Sequence, residues 1–168
     1  MKQYIIATLI LSSTIFAMEQ PNISDELKEQ VFKYNLLEGT PEAQKKVIEA
    51  LDKGFNPKDI KIDEFGGSYT PLDVALDRGD IFLFKKLLDA GASPNSYNSF
   101  KEMTILERAA RGKNYAILNI LLEKGANPNP ETSSGKKLIQ SLDDMGLFSK
   151  KEHEALKPII ELLKQAHS

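Results

Sequence analysis

Thr70-Pro71-Leu72-Asp73-Val74-Ala75-Leu76, then Gly79, Leu83-Phe84, Leu87-Leu88 and Gly91-Ala92-Ser93-Pro94-Asn95, is the stretch that decides the fold. At a constant offset of 34 residues (104 against 70) the chain reads Thr104-Ile105-Leu106-Glu107-Arg108-Ala109-Ala110. Ile117-Leu118, Leu121-Leu122 and Gly125-Ala126-Asn127-Pro128-Asn129 follow. The paired apolar residues and both closing turn signatures coincide, which two unrelated helical hairpins rarely achieve. A fixed period in this range marks a repeat architecture.

Local chemistry explains each unit. Thr70 and Thr104 stand where a helix cap is needed, with Pro71 at the first helical position of the earlier copy. Asp73 and Glu107 follow three residues after each cap, the spacing of a capping box. The second helix of each unit carries apolar pairs one turn apart, a stripe wide enough to contact two neighbours. Gly91 and Gly125 suit a left-handed helix stop, and Pro94 and Pro128 forbid continuation. A single such helical pair cannot cover both of its faces, so the units must stack.

Flanking segments extend the pattern. Helices are expected from about 25 to 38, with Leu27, Val31, Phe32 and Leu36 on one stripe, and from a Thr40-Pro41 start to about Lys53. Gly54-Phe55-Asn56-Pro57 closes them, so 24–57 reads as a divergent N-terminal repeat, followed by repeats at 63–95 and 97–129. Residues 58–69 alternate in polarity and turn at Gly66-Gly67, which predicts an extended connection or hairpin. After a polar loop, 135–166 reads as a divergent C-terminal cap with helices from Lys136 to Met145 and after a Ser149/Glu152 capping box. Pro158 is expected to kink the last helix or shift its start.

Residues 1–17 carry one lysine and then an uncharged apolar run, the pattern of a secretory signal peptide with cleavage after Ala17. The uncharged run is shorter than the ~20 residues that a membrane span needs, which leaves an uncleaved anchor as the runner-up. Residues 18–23 form a linker into a repeat domain at 24–168. The expected location is therefore exported, periplasmic or secreted.

At residues 70–129 the chain resembles the ankyrin repeat family, whose pattern opens Thr-Pro-Leu-His and closes Gly-Ala-Asp-Pro-Asn. The family histidine is replaced by Asp73 and Glu107, the second proline by Ile105, and the inter-helix glycine is displaced to Gly112, leaving Lys113 in its place. The resemblance implies an all-α solenoid of about four stacked helix-turn-helix units with loop hairpins.

Function classes narrow from composition. A net charge of -2 and a pI near 5.8 give no basic field for nucleic acid. The absence of cysteine excludes disulfides, thiolate metal sites and a cysteine nucleophile. Asp143-Asp144 are adjacent on a helix and point apart, while His153 and His167 lack a ligand partner at metal spacing, so no catalytic set, cofactor or metal is expected. Repeat stacks present a surface of loop tips and short-helix residues, and in ankyrin proteins that surface binds other proteins. The resemblance thus implies a non-catalytic, monomeric module for a protein partner. Candidate contact residues are Phe65, Tyr69, Tyr97 and Phe100 in the long loops, with Asp73, Asp77, Arg78, Glu107, Arg108 and Arg111 on the short helices. The alternatives are a small secreted enzyme or toxin with its site in 130–168, and a purely structural envelope protein.

Overall fold

The computed structural model describes residues 25–64, 67–147 and 149–167. The leader and linker expected at 1–23, and Phe65, lie outside them. Two compact units divide the chain at Lys53 and Gly54.

In the first unit α1 (Asp25–Glu38) packs on α2 (Pro41–Asp52). The chain reverses at Gly39, whose φ of 66° is left-handed, and Thr40 Oγ1 accepts a hydrogen bond from the Ala43 amide at 3.2 Å. Val31, Phe32 and Leu36 are buried on α1, as are Ala43, Val47, Ala50 and Leu51 on α2. Each large side chain so buried contributes roughly 1.5–3 kcal/mol. Leu27, expected on that stripe, is instead 37% exposed. Asn35 takes a buried place and satisfies its amide on the Val31 carbonyl at 2.8 Å.

The second unit runs β1 (Ile62–Glu64), β2 (Gly67–Tyr69), α3 (Pro71–Asp77), α4 (Ile81–Asp89), β3 (Tyr97–Asn98), β4 (Met103–Thr104), α5 (Ile105–Arg111), α6 (Tyr115–Glu123), α7 (Leu138–Gly146) and α8 (Lys150–His167). Helices dominate the described residues. The two copies superpose element on element: α3 and α5 are short helices of 7 residues, and α4 and α6 are outer helices of 9. Leu72, Ala75, Leu83, Phe84 and Leu87, with their counterparts Leu106, Ala109, Ile117, Leu118 and Leu121, are at most 2% exposed. These same positions carry the 34-residue match, so the period in the sequence is the period of the core.

Turns between the helices repeat too. Gly79 has φ 65°, and Lys113, 34 residues on, adopts φ 55°. A side-chain-bearing residue thus occupies the left-handed turn that glycine fills in the earlier copy, at a cost of about 1–2 kcal/mol. Asp80 and Asn114 then cap the outer helices, accepting from the amides of Leu83 at 2.9 Å and Ile117 at 3.1 Å.

The connections before α3 and α5 are antiparallel hairpins, Ile62 opposite Tyr69 and Tyr97 opposite Thr104. They abut. The Ser99 amide donates to the Ser68 carbonyl at 2.9 Å, and the Ser68 amide donates to Ser99 Oγ at 2.7 Å. The backbone at Gly67 lies so close that an added Cβ would stand 2.8 Å from Phe100 Cα.

Leu138 and Leu142 on α7 and Leu156, Ile159 and Leu163 on α8 are fully buried, while Lys157, Glu161 and Lys164 face water. Pro158 does not divide this last helix, which is continuous from Lys150 to His167. Its ring lies on the exposed side, and the buried stripe on either side of it holds the helix in register although one backbone hydrogen bond is missing. Glu152 engages Lys113 at 2.8 Å, joining α8 to the turn before α6.

Candidate partner-binding surface

Two short helices and two hairpins supply the candidate residues, and their side chains separate into a buried polar ladder and an exposed rim. The ladder begins at Thr70. Its amide donates to Asp73 Oδ2 at 2.7 Å and its hydroxyl donates to the same oxygen at 2.8 Å. The other carboxylate oxygen pairs with Arg108, which reaches back from α5 and also engages Asp77. Asp73 is 1% exposed and Arg108 9%. They are buried inter-repeat contacts rather than outward residues, because each finds its counter-charge in the adjacent copy.

Glu107 repeats the device with a different partner. Thr104 Oγ1 accepts from the Glu107 amide at 3.2 Å, but the carboxylate turns away from the cap to Arg111 Nε at 2.9 Å. Glu107 is 1% exposed, so it too is withdrawn from the surface. Arg111, half-buried, continues to Ser141 Oγ at 3.0 Å and Met145 Sδ at 2.8 Å on α7. The ladder therefore runs through all three helical pairs of the second unit.

The rim holds the rest. Tyr97 is 50% exposed and Phe100 58%. Phe100 sits at the hairpin tip, which Asn98 shapes by accepting the Lys101 amide at 2.8 Å and where Glu102 adopts φ 52°. Lys101 Nζ then reaches back to Asp77 at 3.4 Å, tying the tip to the end of α3. Asp77 and Arg78 are exposed there, and Tyr69 is half-buried in β2. Lys101 belongs to this surface and was not singled out from the sequence; only its place at a hairpin tip beside Phe100 hints at it. Outer helices add exposed Ile81, Phe82 and Tyr115, with the Tyr115 hydroxyl donating to the Ala155 carbonyl at 3.3 Å.

Asp143, Asp144 and His153 do not converge. Asp144 pairs with Lys136 and Asp143 with Lys164 at 3.8 Å, while His153 packs over Gly146. Among the described residues no group of three or more histidines and carboxylates could hold a metal ion, and no described helix is long and apolar enough to cross a membrane. Asp89, at the end of α4, is held below the usual carboxylate range by its hydrogen bond to Lys124, partly opposed by desolvation, with Lys85 and Lys86 adding weaker attraction.

No family model matches the chain. It is similar to the human protein named SH3 and multiple ankyrin repeat domains protein 2, with 34% identity over 90 residues. That stretch is 54% of this chain and 5% of that protein, so only a small part of the larger protein is represented. The similarity points to ankyrin-type repeats, in agreement with the helical pairs described above.

Proposed function

We propose that the chain is an ankyrin-repeat solenoid that binds a protein partner through its hairpin tips and the exposed ends of its short helices. The observation that carries this reading is the tip itself: Tyr97 and Phe100 stand half or more exposed on a hairpin that Lys101 ties to Asp77, above a fully packed core. Exposed aromatics on a fixed scaffold are the residue type that most often anchors an interface. The named relative, with its multiple ankyrin repeats, supports the same class.

Contact is made by Tyr69, Asp77, Arg78, Tyr97, Phe100 and Lys101, with Arg111 at the margin, and with Phe65 as a further candidate. Asp73, Glu107 and Arg108 serve this surface indirectly by fixing the short helices. Cross-linking capture with the chain as bait, followed by calorimetry on each recovered protein, tests the reading. A genuine partner binds saturably and loses at least tenfold in affinity to Phe100→Ala with the fold intact by circular dichroism. Partners that bind the doubly substituted Tyr97→Ala, Phe100→Ala chain equally well would overturn it.

The leader carries a second proposal, that the protein is exported with 1–17 removed. Mass measurement of the N-terminus after bacterial expression tests it: a chain beginning at Met18 supports export, and an intact soluble chain in the cytoplasm refutes it.

A further inference from the structure

A depression of about 250 Å³ opens between the bases of the two hairpins, lined by the buried Ile60, the exposed Tyr97 and a set of hydroxyl residues and lysines. Its wall is mainly apolar despite those hydroxyls, because they are already engaged. Thr70 donates to Asp73 at 2.8 Å and stands 3.5 Å from Ser96 Oγ. The Ser68 and Ser99 hydroxyls lie 3.1 Å apart, and Ser93 Oγ accepts from the Asn95 amide at 3.3 Å. An apolar group entering this space therefore breaks no hydrogen bond and leaves no polar atom stranded.

The volume lies just under the range of sites that enclose whole organic ligands, while a cavity of about 150 Å³ already admits a benzene ring. One leucine or phenylalanine side chain fits that space. Two features say what carries it. Tyr97 belongs both to the depression and to the partner surface proposed above, and Ser99 in its wall is the neighbour of Phe100, so the two are continuous. Lys58 and Lys61 also line it and are exposed, and no carboxylate does. Among the described residues neither lysine forms an ion pair, unlike Lys101, Lys113 and Lys124 in the same unit.

We infer that the protein partner seats one large apolar side chain, flanked by acidic residues, in this depression. The inference rests on the protein-binding reading and names the chemistry which that reading leaves open.

Panning a random peptide library displayed on phage against the full chain, with calorimetry on synthetic peptides of the enriched sequences, tests it. Enrichment of a single leucine or phenylalanine between aspartates and glutamates is expected. Ser93→Leu, which puts an apolar side chain into the space, should weaken these peptides at least tenfold with the fold intact by circular dichroism. Alanine in place of the peptide's apolar residue should do the same, and the two changes together should cost no more than either alone. Lys58→Glu with Lys61→Glu should weaken binding at least tenfold, whereas Lys150→Glu with Lys151→Glu should leave it unchanged. All four lysines are exposed, so these variants keep the fold. Additive losses, enriched peptides without acidic residues, or equal binding by both lysine variants overturn the inference. Peptides weakened by Phe100→Ala but not by Ser93→Leu overturn it while leaving the protein-binding reading in place, and the lack of any saturable peptide counts against both.

Discussion

The two copies at 70–95 and 104–129 share a core and differ in their polar chemistry. In the first, Asp73 is held by its own cap and by an arginine from the next copy; in the second, Glu107 is held by Arg111 four residues along the same helix. Gly79 makes the inter-helix turn without strain, and Lys113 makes the same turn against its side chain while gaining Glu152. A repeat tolerates such exchange because its helices are positioned by apolar burial, while buried charges need only find some counter-charge within reach.

The largest expected effect distinguishes the two carboxylates. Arg108→Ala strands Asp73 at 1% exposure and should destabilise the second unit by about 3–5 kcal/mol. Arg111→Ala should cost less, because its side chain is 26% exposed and water can reach the vacated space beside Glu107. Urea midpoints for the two variants check the order, and equal losses would mean that burial does not set the scale.

Helix stops offer the next contrast. Gly91 has φ 105° and a Cβ there would stand 3.0 Å from Asn56 Oδ1, whereas Gly125 has φ 81° and open space. Gly125→Ala should therefore cost the ~1 kcal/mol of a strained backbone, and Gly91→Ala measurably more. Thermal unfolding of both variants measures the difference; identical shifts would remove the close approach of Asn56 as a cause.

At the inter-helix turn the sign should reverse. Lys113→Gly relieves about 1–2 kcal/mol of left-handed strain and gives up a partly exposed ion pair worth ~0–1 kcal/mol. A small net stabilisation is expected, and a double-mutant cycle with Glu152→Gln separates the two contributions. Gly79→Lys, with no Glu152 counterpart demonstrated for it, should only destabilise.

The smallest effect belongs to the link between the outer helices. Asp89 has a folded pKa below its unfolded one, so the Asp89–Lys124 pair, 2.7 Å apart, stabilises above the unfolded value of about 3.9. This contribution fades as pH falls through the lower folded value. Denaturant midpoints of the parent chain and Asp89→Asn, compared from pH 7 down to about 2.5, should converge at the acid end.

Much of the fold was legible because its signals are local. Thr40 and Thr104 cap where short-range chemistry says a helix begins, and Gly91 and Gly125 stop where a left-handed residue is needed; Asp80 and Asn114, which cap the outer helices, were not read as caps. Pro158 does not shift the start of its helix, because proline reports only a missing donor and whether the helix continues depends on the stripe of Leu156, Ile159 and Leu163 around it. The surface was read less well. Asp73, Glu107 and Arg108 look like solvated residues of short helices, and nothing in their own segments reveals that Arg108 meets a carboxylate 35 residues earlier. Of the loop aromatics expected at the surface, Tyr97 and Phe100 are exposed and Tyr69 is half-buried.

The clasp between Ser68 and Ser99, with Phe100 pressed onto Gly67, bears on association rather than stability. A lone two-stranded ribbon of this length would sample many shapes. Joined edge to edge, the hairpins give up that freedom as the chain folds, and a partner on the surface proposed above would have correspondingly less motion left to suppress. Loosening the clasp with Ser99→Ala would then slow no encounter but shorten the lifetime of the complex.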